Sequence, residues 1–258
     1  MSDLAAPVPA RGPWLTAALN ARSTSRLSRV RPWAVLVGQQ GRPDGAALLS
    51  VRRRGPTVAV GLLGGDVGPL PDGRPPARLY ARDDHVAAQL AGAVTDLLHG
   101  LRGGWTLRLA GLPLGDPTLR HLSAALPDSS SATARSRRLV DELDTVGDVQ
   151  RSREPAALER VLPAVLARVP EPQRAFVRAV SRLHVAIDQL EVAVVPGAGG
   201  PAAVLLTLVD GPPGQEDRWP WWGSSDIGGL RRELGSPWVS LTASAGMARS
   251  FLRGAAAG

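Results

Sequence analysis

The sequence predicts an α+β fold of two related halves, each a mostly antiparallel sheet packed with helices. Three observations predict it. Ala34-Val35-Leu36-Val37, Ala46-Ala47-Leu48-Leu49-Ser50-Val51 and Gly65-Asp66-Val67-Gly68-Pro69-Leu70 return as Val192-Ala193-Val194-Val195, Ala203-Val204-Leu205-Leu206-Thr207-Leu208 and Ser225-Asp226-Ile227-Gly228-Gly229-Leu230, at shifts of 157 to 160 positions. That distance is too long for a solenoid repeat of about 20 to 50 residues. The apolar runs are joined by short Gly/Pro turns, which suit antiparallel pairing and are too short for parallel crossovers. Other stretches carry apolar residues at helical spacing.

Residues 1–29 form a basic lead and helix, with Pro13 placed where a first helical turn tolerates the missing N–H. The first half spans 30–126. Trp33–Val37, Ala46–Arg52 and Thr57–Leu62 are Val- and Leu-rich runs between Gly/Pro turns and predict three strands. Asp83 is an N-cap for a helix to Leu101, whose Val86, Leu90, Val94, Leu97, Leu98 and Leu101 share one face. Trp105–Leu109 alternates as a strand, and Asp116-Pro117 opens a helix through Ala125.

Residues 127–137 are Ser-rich and poor in apolar side chains, which predicts a flexible connection. The second half, 138–258, begins with a strand at Arg138–Leu143 and an edge strand near Val149. Helices are predicted over Glu154–Val169, with Pro163 inside, and over Pro172–Leu190. Strands follow at Glu191–Val195, Ala202–Val209 and Arg218–Trp222, then a last helix over Val239–Arg253.

Composition narrows the function. There is no cysteine, so disulfides, thiolate metal sites and cysteine nucleophiles are excluded. No apolar run reaches the roughly 18 residues of a membrane span, and Met1–Ala10 lacks the apolar core of a secretory signal, so a cytoplasmic location is expected. All 30 basic residues are arginine, a skew that fits high-GC codon usage. Position is more telling: residues 1–60 hold nine arginines against Asp3 and Asp44, which equals the whole net charge of +7. Arg52, Arg53 and Arg54, with Arg22, Arg26, Arg29 and Arg31 nearby, are candidate anion-binding residues for a phosphate-bearing ligand or a nucleic-acid backbone. A solvated turn is the simpler reading of Arg52–Arg54, and aromatic interleaving for base stacking is thin, with only Trp33 close by.

The aromatic segment Trp219-Pro220-Trp221-Trp222-Gly223-Ser224-Ser225-Asp226 leads to Leu230-Arg231-Arg232-Glu233-Leu234 and Pro237-Trp238-Val239-Ser240-Leu241. It resembles the aromatic strand, Gly-Ser-Ser turn and following helix of GNAT-like acyltransferases of the FemAB type and of the cellulose-biosynthesis-associated acetyltransferases. Trp105-Thr106-Leu107-Arg108-Leu109 with Leu112-Pro113 resembles the end of the first domain in the same families. The resemblance implies two GNAT-like halves and transfer of an acyl or aminoacyl group to an amine or hydroxyl. It implies acyl-CoA or aminoacyl-tRNA as donor, and Trp219, Trp221, Trp222, Ser224, Ser225 and Asp226 as the acceptor side of a cleft.

Departures point to a degenerate or noncatalytic member, a scaffold on the same fold. No Gln/Arg-x-x-Gly-x-Gly/Ala loop opens a helix to cradle a pyrophosphate. Gly197–Gly200 is a hairpin turn, and Gly64–Gly68 runs into Pro69 and Pro71. On a strand Trp219 and Trp221 face one side and Trp222 the other, so one side belongs to the core. Asp226 reads most simply as a turn or cap residue, with Asp66 as its counterpart. His184 and Asp188, four apart on a helix, are expected to pair, and no third ligand is spaced to make a metal site with them. No Gly-x-Ser-x-Gly elbow marks a serine hydrolase.

Overall fold

The computed structural model describes residues 6–23, 30–39, 41–65 and 67–246. A 3-10 turn at Val8–Ala10 enters helix α1 (Gly12–Ser23). Strands β1 (Val30–Gln39), β2 (Arg42–Arg54) and β3 (Thr57–Leu62) then form an antiparallel meander. A long connection carries the short strand β4 (Tyr80–Ala81), which pairs with β2, into helix α2 (Asp84–His99). Because α2 is long enough for a crossover, β5 (Gly104–Pro113) returns parallel to β3. Asp83 and Asp116 cap α2 and α3 (Pro117–Ala125), as expected, each accepting a backbone N–H at 2.9 Å.

Strand β6 (Ser130–Asp141) follows, then a 3-10 turn at Leu143–Thr145 and strand β7 (Gln150–Ser152). Helices α4 (Pro155–Arg168) and α5 (Glu171–Ala186) precede a second meander of β8 (Leu190–Gly197), β9 (Gly200–Asp210) and β10 (Asp217–Ser225). The chain closes with β11 (Leu230–Ala245). The fold is therefore α+β with two sheets: β1-β2-β3-β5-β11-β6, with β4 on β2, and β10-β9-β8-β7.

Three sequence expectations change. The Ser-rich stretch expected as a connection over 127–137 becomes the edge strand β6 from Ser130 onward, stabilised by pairing with β11 along most of its length. The strand expected at Arg138–Leu143 is the end of β6 and lies in the first sheet. The helix expected over Val239–Arg253 is strand through Ala245, and residues 247–253 lie outside the described residues. Val239, Leu241 and Ala243 are buried while Thr242 and Ser244 are exposed, a period of two that only a strand satisfies. As a result β11 leaves the second meander and inserts between β5 and β6.

The repeated hairpins fall on equivalent elements, the meanders β1-β2-β3 and β8-β9-β10. Asp66, the expected counterpart of Asp226, lies outside the described residues. The first sheet buries one face under α2 and α3, with Leu49, Val60, Leu107 and Leu241 packed on Leu90, Val94 and Leu122. The second is covered on both faces. Trp14, Phe176, Val180 and Leu162 from α1, α5 and α4 pack on one side, and Leu139 and Leu143 pack on Ala193, Val195 and Leu205 on the other.

Candidate anion-binding site

Alternation along the first sheet determines which side chains remain on its free face. Ala47, Leu49 and Val51 of β2 enter the core, so Ser50, Arg52 and Arg54 point the opposite way. The same parity exposes Ala59 and Gly61 on β3, Thr106, Arg108 and Ala110 on β5, and Trp238 and Ser240 on β11. These residues line a trough of about 620 Å³. Its middle is shallow-walled because Ala59, Gly61, Ala110 and Ala134 are small, while the arginines and Trp238 stand around it. A Cβ at Gly61 would sit 3.2 Å from the Arg108 carbonyl oxygen, so the glycine keeps the floor open where β3 and β5 run side by side.

Neither Arg52, Arg54 nor Arg108 has a carboxylate partner among the described residues. Three guanidiniums converging on one concavity repel one another and favour an anion between them. Among the described residues, no Asp, Glu or His lines the trough. Arg53 falls on the other parity, and its Nε turns back to the Gly55 carbonyl at 3.4 Å. Arg31 pairs in register with Val51 and so lies on the helix-covered side, away from the trough. The side chain of Arg22 and the whole of Arg26 and Arg29 lie outside the described residues. Arg108 was missed by the sequence reading, although the alternation Trp105-Thr106-Leu107-Arg108-Leu109 already places it opposite the apolar positions.

The start of α2 is the other place where a phosphate would be sought. It is taken by acids from the chain itself. Asp83 accepts from the Val86 N–H, which holds its carboxyl below the usual range. Asp84 is likewise lowered, by His121 at 3.0 Å and then by Arg120 at 2.6 Å. A second anion there would meet two carboxylates in addition to the helix dipole.

The aromatic segment lies elsewhere. Trp219 and Trp221 are 4% and 5% exposed, and their indoles donate to the Asp72 and Pro69 carbonyls at 2.6 and 2.9 Å. Arg74 stacks over Trp219 at 4.2 Å. These bonds clamp the connection between β3 and α2 onto the second sheet, while the bond from the Ser236 N–H of β11 to the Gly73 carbonyl at 2.8 Å ties the same connection to the first. Trp222, expected on the opposite face, is half-buried against the same core, because a register shift between Pro220 and Trp222 pairs Trp219 with Leu208 and Trp222 with Leu206. Ser224 is paired in register with Val204. The Ser225 hydroxyl accepts from the Ile227 N–H at 3.2 Å and donates to the Gly228 carbonyl, and Asp226 pairs with Arg168, so both build the turn into β11. None of the six residues lines the trough.

His184 does not pair with Asp188. Helix α5 ends at Ala186 and Asp188 is left-handed, with φ 56°, so the four-residue spacing no longer places the two on one helical face. His184 is wholly buried, and its Nδ1 meets the Val180 carbonyl at 2.9 Å. No group of three or more His, Asp or Glu side chains among the described residues is placed to hold a metal ion. No helix among them is long and apolar enough to cross a membrane.

Fold and site together define an α+β protein of two sheets with an arginine-lined trough on one of them. No protein-family model matches the sequence, and no curated protein does. Among solved structures, the chain is similar to a tandem GNAT protein from the clavulanic acid biosynthesis pathway, determined without AcCoA. The identity is 16%, with 93% of this chain and 90% of that one covered and a TM-score of 0.41. It is similar to FemX at 11% identity and a TM-score of 0.45, covering 81% of this chain and 54% of FemX, about half its length. It is also similar to a conserved protein of unknown function from Bacteroides thetaiotaomicron, at 10% identity, 89% and 88% coverage and a TM-score of 0.47.

Proposed function

We propose that the protein binds a phosphate-bearing acyl donor, a coenzyme A thioester or an aminoacyl-tRNA, in the trough of the first sheet and passes the acyl group to an amine or hydroxyl. The observation that supports donor binding is the convergence of Arg52, Arg54 and Arg108 on one concavity without a carboxylate among the described residues. Guanidinium forks make charge-assisted bonds to phosphate oxygens, and the small-residue floor accommodates an extended chain. The acyl-transfer step rests on the sequence resemblance. Such transfer needs an acceptor held against the carbonyl and donors aimed at the developing oxyanion. Ser50, Thr106 and Ser240 are the hydroxyls that the trough offers for this task.

A second reading, a noncatalytic binding protein on the same fold, is favoured by the lack, among the described residues, of a carboxylate or imidazole in the trough to take up the acceptor's proton. Nucleic acid as the main ligand is disfavoured, since Trp238 is the one aromatic among the described lining residues and successive bases need several.

Calorimetric titration with acetyl-CoA, aminoacyl-tRNA and inorganic pyrophosphate tests the reading, combined with a thiol-release assay in the presence of simple amines. Binding that weakens about tenfold in R52A/R54A/R108A and declines with salt supports the trough as the donor site. Thiol release supports transfer, and binding without release selects the noncatalytic reading. If none of the three probes binds, both readings fall.

A further inference from the structure

A second basic surface lies between α4 and α5. Arg174, Arg178 and Arg182 recur every four residues along α5 and share a groove of about 600 Å³ with Leu162, Pro163 and Leu166 of α4. We propose that this groove docks an acidic amphipathic helix of a partner protein.

The arginines are spaced for it. At a rise of about 1.5 Å per residue, positions four apart on α5 stand roughly 6 Å apart along its axis, as do carboxylates four apart on a helix lying alongside. The row is partly oriented in advance. The Arg174 Nε donates to the Val169 carbonyl at 3.0 Å, and Glu159 holds Arg182 through two bonds of 2.7 Å. Glu159 is the one acid among the described lining residues and attracts Arg178 as well as Arg182, so three guanidiniums face one carboxylate and the groove stays positive. Pro163 and Ala167 are exposed and, with the edges of the buried Leu162 and Leu166, give it an aliphatic floor suited to Leu or Ile side chains of a helix seated in the groove. That floor holds no aromatic ring on which a base could stack, which favours a protein partner over a nucleic acid.

The test uses the intact protein and a fluorescein-labelled helical peptide of about sixteen residues, roughly four turns, with Glu at every fourth position and Leu along the adjacent stripe. Saturable anisotropy is expected, weakened about tenfold by R174E/R178E/R182E and by replacing the peptide leucines with serine. R52A/R54A/R108A should bind the peptide unchanged, which separates this surface from the trough. R178A/R182A serves as a second variant that retains the Arg174 bond to the α4–α5 link, with melting curves confirming that each variant folds. Equal binding of a scrambled or serine-substituted peptide, or tighter binding of a single-stranded oligonucleotide lost in the same variants, would reduce the groove to a nonspecific charge patch. Absence of peptide binding overturns the proposal outright.

Discussion

Strands β2 and β9 occupy the same place, the middle of a three-strand antiparallel meander, and their environments are opposite. β9 is buried without a break from Ala203 to Val209, because helices cover one face of its sheet and β6 with the Leu143–Thr145 turn covers the other. β2 alternates, with Ala47, Leu49 and Val51 buried and Ser50, Arg52 and Arg54 facing the trough. The difference begins after the third strand. β3 leads through a long connection and α2 to a parallel partner that widens the sheet, whereas β10 turns within a few residues into β11 and gives that strand to the first sheet. One sheet has become packing and the other keeps an open face.

Breaking the filled sheet should cost most. Trp221→Ala removes a 5%-exposed indole that meets Trp14 edge-on at 5.3 Å, and about 3 to 5 kcal/mol of stability should be lost in urea titration. Trp222→Ala should cost clearly less, because that ring is half-buried. Equal losses would show that Trp222 is anchored in that core as firmly as Trp221.

The seam between the sheets is next. A Cβ at Gly68 would lie 2.1 Å from the Phe176 ring, so Gly68→Ala should destabilise by about 1 to 3 kcal/mol through overpacking. A neutral result would mean that the clamped connection moves freely and does not tie the halves together.

The pH response sharpens the comparison further. Burial holds the His184 imidazole below its ordinary value of 6.5, so the unfolded chain takes up a proton that the folded chain refuses. Its contribution to stability is full above pH 6.5 and is lost as pH falls below that value, at up to about 1.4 kcal/mol per pH unit until the folded imidazole titrates. The drop in urea midpoint between pH 7 and pH 5 should shrink in His184→Leu, and an undiminished drop would assign it to other groups.

The smallest effect on folding belongs to the open face. R52A/R54A/R108A should change stability by no more than about 0.5 kcal/mol per site, while anion affinity falls about tenfold. Marked unfolding would show that the guanidiniums hold the sheet rather than wait for a ligand.

Much of this organisation is legible in the chain. The caps Asp83 and Asp116, both meanders and the helical stripes of α2, α4 and α5 follow from local periodicity and turn chemistry. The contrast between the sheets was legible as well, since Ala203-Val204-Leu205-Leu206 admits no polar face while Ser50, Arg52 and Arg54 break the apolar run of β2. The alternation Val239-Ser240-Leu241-Thr242-Ala243 carried the signal for β11, but small residues made it pass for a helix. β6 had no such signal. As an edge strand exposed along most of its length, it owes its form to the partner strand.

The sequence by itself determined the α+β class, the doubled hairpin and the parity that sends Arg52 and Arg54 to one face and Arg53 to the other, because those depend on neighbours a few residues apart. Only the tertiary structure decided that Arg108 joins them and that Trp219 and Trp221 anchor a connection from the other half. It alone placed the last strand in the first sheet. Each of these rests on contacts between residues more than forty positions apart, which hydrogen-bond pairing and burial select and which local pattern does not encode.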